Sequence, residues 1–485
     1  MGDLTFAGVI HGVLAAVMSF HVLLTKHRPV SSVLWLGVLW TIPFLGAAAY
    51  VSFGMDRVRP GAKMRAESNA LLQQRAALHP TFEGLTVDAM KRLEPDWHPA
   101  LRIFRATDRA VQRNHVLRGH KAELLVDGDQ FFPSLMEAAA SARDSFHLQT
   151  FIFGRDRTGE EFRELMIERA RAGVEVRLLY DRFGSTWAHV LRFFEPARKA
   201  GAKVFSITQA NPLKGRFQIN LRNHRKVAVV DGRIGFGGGI NIHDGHRTGY
   251  AKGQPIRDYH VRLEGPAVAD LQFQFIEDWF FASREQPDRL LDAGNFPPFE
   301  ERGPGLVQIV PCGPTPGGNA VADVIFAAIA SAERSLYIVT PYFIPDEPIV
   351  HAIRYAAFRG VDVQLVVPKV GNHRYAEFAA RALYAPLLRT GVRIFERRPP
   401  FIHAKALVVD RIYALLGSAN LDYRSLHLNF ETNLEVAEEA FVAAVTRQIE
   451  EEIAQSDEVS YDRHQARSLG RRLVENFCYL FQPML

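Results

Sequence analysis

Cysteine is nearly missing: Cys312 and Cys478 are the only two in 485 residues. That is too few for a disulfide framework or a thiolate zinc site. The charge excess is also small, with 58 Lys and Arg against 53 Asp and Glu, a net charge of +5. A pI near 9.1 points to anionic partners without choosing among nucleic acid, a lipid surface and phosphate esters. Hydrophobic residues make up 47% of the chain and charged residues 23%, with 34 Phe. Such a balance supports large packed cores and excludes a disordered, collagen-like or acidic-tail protein. At about 150 residues per domain, the length suggests roughly three units.

No Lys or Arg precedes the first long apolar run, Phe6 to Leu24, which argues against a cleavable signal peptide. After Thr25-Lys26-His27-Arg28-Pro29 comes a second run, Val33 to Phe53. A helix crossing the hydrocarbon core needs about 20 apolar residues, so the two runs predict a two-helix transmembrane hairpin. Its span is residues 1–56, with Trp35, Trp40 and Tyr50 suited to the membrane interface. Lys26 and Arg28 lie between the runs, and Arg57, Arg59, Lys63 and Arg65 follow the second. The positive-inside rule then puts the downstream part in the cytoplasm. His11 and His21 read as interfacial or helix-contact residues.

The remainder repeats itself. Glu137 to Phe153 answers Ala327 to Phe343, each reading as a helix end, a turn and a buried strand. Ala172 to Tyr180 answers Arg359 to Val367, each with Gly at a helix end before a strand. Strands alternating with helices predict an α/β fold with two duplicated domains, as two sheets or as one chain folded about a pseudo-two-fold axis. A juxtamembrane linker region over 57–120 precedes a first domain over 121–283. The Pro-rich segment 284–305 reads as a linker, and a second domain runs over 306–485.

Each copy carries one motif, H-x-K-x4-D-x6-G-[GS]-x-N. It is His224, Lys226, Asp231, Gly238-Gly239 and Asn241 in the first and His403, Lys405, Asp410, Gly417-Ser418 and Asn420 in the second. Side chains two apart on a strand share a face, so each His accompanies its Lys. Brought together, two imidazoles, two ammonium groups and two amides form a receptor for a phosphodiester. One imidazole can attack phosphorus while the other protonates the leaving alcohol. Nearby ammonium groups would oppose a metal, so neither a metal nor a cofactor is expected. Each His needs an acceptor on its other nitrogen; Asp258 is expected to serve His224, and Glu431 to serve His403. Asp231 and Asp410, grouped with the catalytic residues, sit beyond the strand and are the members most suited to fixing a turn.

These motifs resemble the phospholipase D superfamily, whose signature is the paired HKD motif, and within it the bacterial cardiolipin synthases. Thr340-Pro-Tyr-Phe-Ile-Pro-Asp346, Gly417 to Ser425 and Asn429-Phe-Glu431 add to the likeness. The resemblance implies two phospholipase D-like domains and a phosphohistidine intermediate. It also implies transfer of a phosphatidyl group between two phosphatidylglycerol molecules, with release of glycerol. By the same resemblance His224 is the nucleophile and His403 the acid and then the base, roles that near-symmetry leaves exchangeable. Hydrolysis by the same intermediate, another phosphatidyl transfer and a membrane-tethered nuclease are the alternatives.

From Arg198 to Lys226 there are eight basic residues and no acidic one, interleaved with Phe205 and Phe217. The stretch leads into His224 and is read as a contact for phosphatidylglycerol and other anionic headgroups at the membrane, rather than for nucleic acid. Tyr342 and Arg424 are candidates for lining the pocket. The sequence leaves the oligomeric state open.

Overall fold

A computed structural model of the chain describes residues 2–26, 29–55, 58–77, 79–82, 98–111, 114–207, 222–314 and 320–482. The chain divides into two compact units, Met1–Gly61 and Ala62–Leu485.

In the first unit one helix, Gly2–Thr25, follows the first apolar run, and its segment Phe6–Thr25 is long and apolar enough to cross a bilayer. The second run is not the single helix expected. It breaks into Pro29–Thr41, Leu45–Ala49 and a π-turn, Tyr50–Gly54. Pro43 has no N–H to continue the ladder, and Phe44 takes a positive φ of 56° at the break. His21 does make a helix contact, its Nδ1 lying 2.7 Å from Tyr50 Oη. His27, Arg28 and Arg57 lie outside the described residues.

In the second unit the first copy supplies β1 (Leu117–Val126), β2 (Ser145–Thr150), β3 (Glu175–Tyr180) and β4 (Lys203–Ser206). It continues with β5 (Val227–Val230), β6 (Ile234–Gly238) and β7 (Tyr259–Glu264). The second copy supplies β8 (Gly305–Cys312), β9 (Ser335–Val339), β10 (Phe343–Ile344), β11 (Asp362–Pro368) and β12 (Arg393–Arg397). It ends with β13 (Ala406–Val409), β14 (Tyr413–Gly417), β15 (Leu421–Asp422), β16 (Glu431–Ala437) and β17 (Ser456–Glu458). Fifteen of these strands form one sheet, β17-β12-β11-β9-β13-β14-β16-β8-β1-β7-β6-β5-β2-β3-β4, while β10 and β15 pair separately. Apart from β17 the order reads the same from both ends with each strand replaced by its counterpart, which is the duplication written in hydrogen bonds.

The halves join where β1 pairs β8 through an irregular register, Leu117↔Val307 and His120↔Gly305. Beyond that seam they face one another: a Cβ on Gly237 of β6 would sit 2.9 Å from Leu434 of β16. Strand alternation divides the core. Val227 and Val229 enter the inner layer with Ala406, Val408 and Leu434, together with Phe275 and Trp279 of helix Val268–Ser283. Ala228 and Val230 point the other way, toward Phe132 and Phe162. Leu407 and Val409 likewise face Val324 and Ile353. Buried on both faces, β5 and β13 hold rigidly whatever side chains precede them.

The stretch read as a linker region is partly built into this unit. β1 begins inside it, and helix Leu101–Thr107 sends Arg102 to the Asp410 carboxylate.

Candidate active site

β2 runs antiparallel to β5 and parallel to β3; β9 runs antiparallel to β13 and parallel to β11. Lys226 and Lys405, just before β5 and β13, therefore sit at the carboxyl ends of those neighbours, where open α/β sheets bind ligands.

Two isolated bridges stitch the halves there, Asn223↔Phe430 and Arg257↔Ile402. His224 N donates to Phe430 O at 2.9 Å, and His403 N to Arg257 O at 2.7 Å. The residue after each bridged position is the other half's carboxylate. His224 Nδ1 donates to Glu431 Oε2 at 2.9 Å and faces Oε1 at 3.1 Å. His403 Nδ1 donates to Asp258 Oδ2 at 2.6 Å. The expected same-half pairs, Asp258 with His224 and Glu431 with His403, do not form. Strand β6 separates β5 from β7, and β14 separates β13 from β16. Each carboxylate is therefore two strands, about 10 Å, from the imidazole of its own half.

The two carboxylates are fully buried, while the imidazole side chains keep 13% and 14% of their surface exposed, enough for one edge to meet a ligand. Burial holds His224 below its ordinary pKa against the pull of Glu431. Burial, then Lys405, Lys226 and His224, holds His403 well below it. Burial pushes Glu431 up, but His224, Lys226 and Ser418 together keep it below the usual carboxylate range. The resting pair is thus a neutral imidazole on an anion. Its Nδ1 carries the proton and its Nε2 keeps a free lone pair.

Burial also brings Lys226 down to about 7 and Lys405 to about 8. Lys226 Nζ donates to His224 O at 2.7 Å. Lys405 Nζ lies 2.8 Å from His403 Nδ1, beside the Asp258 bond. Asn241 Oδ1 accepts from Ile152 N at 3.0 Å, and Asn420 is buried with its Nδ2 3.4 Å from Ser425 Oγ.

Gly239 and Ser418 occupy equivalent places with different consequences. The Ser418 hydroxyl donates to Glu431 at 2.6 Å. A Cβ at Gly239 would lie 2.1 Å from Asp258 Oδ1. The short carboxylate thus goes with the absent side chain, and the long one with a hydroxyl.

Asp231 and Asp410 do not join the cluster. Each stands at a positive φ of 51° at the far end of its strand. Asp231 accepts the amides of Arg143, Asp144 and Ser145 at 2.8–3.2 Å. Asp410 accepts those of Glu333, Arg334 and Ser335 at 2.7–3.2 Å. They fasten the hairpin turn to the start of the neighbouring strand. Tyr342 Oη donates to Asn372 Oδ1 at 2.7 Å, while half-buried Arg424 lies within electrostatic reach of Arg222 and Asp422.

Much of the basic stretch serves the fold instead of headgroups. Arg198 pairs with Glu195, Lys203 with Glu175 and Glu285, and buried Arg225 with Asp278. Phe205 sets its ring 5.2 Å from Trp279. Lys214, Arg216 and Phe217 lie outside the described residues.

Several groups of the site had no role assigned from the sequence. Ser425 Oγ and Asn429 Nδ2 donate to Glu431 at 2.9 and 3.3 Å, and Asp181 Oδ2 accepts Asn223 N at 3.0 Å. Their place just after β3 or just before β16 was the available signal. Buried His246, whose ring lies 6.4 Å from that of His403, carried none.

A duplicated sheet whose two HxK segments meet at one mouth defines a phospholipase D-like protein. The family model described as "Cardiolipin synthase, PLD-like domain" matches residues 135–249 and 325–453, and "Phospholipase_D-nuclease N-terminal" matches 13–54. The chain is 32% identical over 499 residues to cardiolipin synthase 1 of Bacillus cereus, covering 99% of this chain and 94% of that one. It belongs to the cardiolipin synthase family. Cardiolipin synthase A of Pseudomonas aeruginosa is 35% identical over 478 residues, covering 98% and 94% of the two chains. A phosphatidylserine synthase of Haemophilus influenzae shares the fold at a TM-score of 0.60 and 16% identity, covering 79% of this chain and 100% of that one.

Proposed function

We propose that this protein is a cardiolipin synthase that moves a phosphatidyl group from one phosphatidylglycerol to another. The observation that carries the chemistry is the neutral His224 imidazole held through Nδ1 by both oxygens of anionic Glu431. Its Nε2 attacks phosphorus; the bond to the departing glycerol oxygen breaks, and His403 delivers a proton to that oxygen. The glycerol hydroxyl of a second phosphatidylglycerol then loses its proton to His403 and attacks the phosphohistidine. The P–N bond breaks and cardiolipin is released. Lys226, Lys405 and the site amides meet the charge on the non-bridging oxygens. A bound phosphate anion between the two ammonium groups raises His403 again, which arms it as an acid.

Arg57, Arg59 and Lys63 after the second apolar segment, against Lys26 and Arg28 between the two, support an anchor of two apolar segments with the catalytic unit on the cytoplasmic face of the bacterial inner membrane. Arg65 drops out of that count, since it is buried against Asp278.

The full chain in phosphatidylglycerol vesicles should yield cardiolipin and glycerol in equal amounts. Phosphatidic acid in place of cardiolipin would make the enzyme a hydrolase, and cleavage of labelled DNA without lipid turnover would make it a nuclease.

A further inference from the structure

β3 ends on the site side of the sheet, and the next residue, Asp181, holds the Asn223 amide beside His224. Residues 182–191, directly beyond it, form the rim of the mouth. Phe183, Trp187, Val190 and Leu191 stand there in solvent with 62%, 72%, 58% and 50% of their surface exposed. Apolar clusters of this kind on a rim mark an interaction site. No Asp or Glu occurs from Arg182 to Phe194, Arg182 and Arg192 are exposed, and the Arg222 guanidinium lies 3.9 Å from the Phe183 ring centroid.

The second half presents a matching element. Helix Leu469–Tyr479 turns its one acidic residue inward: Glu475 is 1% exposed, bound by Arg467 and Arg471. Its outward stripe is Leu469, Leu473, Phe477 and Leu480, at 70%, 61%, 60% and 74% exposure. That is the reverse of a surface helix in water. The helix carries its carboxyl end to the site side. Gln482 Nε2 donates to Pro345 O at 2.6 Å, and the adjoining Asp346 takes His427 Nε2 at 2.9 Å, four residues before Glu431.

We propose that these two apolar prongs, one beside each half of the cleft, seat the catalytic unit in the headgroup layer of an anionic bilayer, so that the phosphodiester enters from the membrane plane. The proposal rests on the phosphatidyl-transfer reading. A bilayer is favoured over a second copy of the chain by charge. Arg182, Arg192 and Arg472 edge the prongs, and they attract anionic headgroups but would oppose their own images.

The test uses the full chain in nanodiscs holding one chain each and containing phosphatidylglycerol. In a Cys478→Ser background, Trp187→Cys and Phe477→Cys each carry a nitrobenzoxadiazole probe. Blue-shifted emission, quenched at both positions by lipid spin-labelled near the headgroup, is expected. Water-like, unquenched emission overturns the proposal, as does quenching that arises only when discs hold two chains. In parallel, Trp187→Glu/Phe477→Glu should lower cardiolipin formation on vesicles by about tenfold or more, yet stay within about twofold on monomeric short-chain phosphatidylglycerol. Equal loss on both substrates, or loss on neither, also overturns it. If the unsubstituted enzyme makes no cardiolipin from either substrate, the transfer reading fails while the probe depth still reports docking.

Discussion

His224 leans on Glu431, a carboxylate 207 positions further along the chain and in the other copy of the repeat, across 2.9 Å. Substituting Glu431→Gln removes the anion that fixes the imidazole tautomer. By the behaviour of orienting carboxylates elsewhere, turnover should fall by roughly three to four powers of ten. Because Glu431 pulls the His224 pKa upward, the variant should titrate His224 lower still. Asp258→Asn should instead alter His403. Histidine-resolved NMR titration of the two variants tests the crossing directly, and same-half effects would refute it.

Asp231→Ala and Asp410→Ala should damage the fold rather than the chemistry. Each deletes an acceptor for three consecutive amides at a turn. A loss of about 2–4 kcal/mol in stability is expected. Thermal melts combined with active-site counting should show turnover per folded molecule within about twofold of the parent.

The duplication, the α/β class and the paired motifs were all legible in the sequence, because periodicity and repetition are local signals. His224 with Lys226, and Asp258 with Glu431, were legible as site members for the same reason. Who pairs with whom was not. Chain proximity joined Asp258 to His224, yet the interleaved strand β6 keeps them apart and the bridge Arg257↔Ile402 hands Asp258 to His403. The second apolar run misled in a similar way. Its composition is continuous, but Pro43 interrupts the hydrogen-bond ladder that composition cannot see. The charged stretch before His224 read as one surface because partners such as Glu285 and Asp278 come from distant segments.

The lysines set a pH dependence. Both must be cationic to meet a phosphodiester, and burial brings them to about 7 and about 8. kcat/KM should therefore decline as pH rises through that range, with an acid limb where His224 becomes protonated. Stability should move the opposite way. The unfolded chain holds the Lys226 proton up to its ordinary value of 10.5, so between pH 7 and 10.5 it binds more protons than the folded chain. Unfolding free energy then rises with pH across that window. Initial rates and denaturant midpoints measured from about pH 6 to about pH 10 check both signs.

Gly239→Ser should cost far more than Ser418→Gly, although each merely copies its counterpart. A Cβ at 239 strikes Asp258 Oδ1 at 2.1 Å and pushes it off His403. Removing the Ser418 hydroxyl leaves Glu431 with Ser425, Asn429 and His224. A loss of two or more powers of ten for the first, against about tenfold for the second, is the expected outcome in rate assays.

The exchange of carboxylates across the seam has a genetic corollary. Neither copy is a spare for the other, since a truncation in either strips an imidazole of its acceptor at both ends of the trade. Two polypeptides cut within 284–305 and expressed from separate plasmids would each be inert, and any recovered turnover would grow with the product of their concentrations.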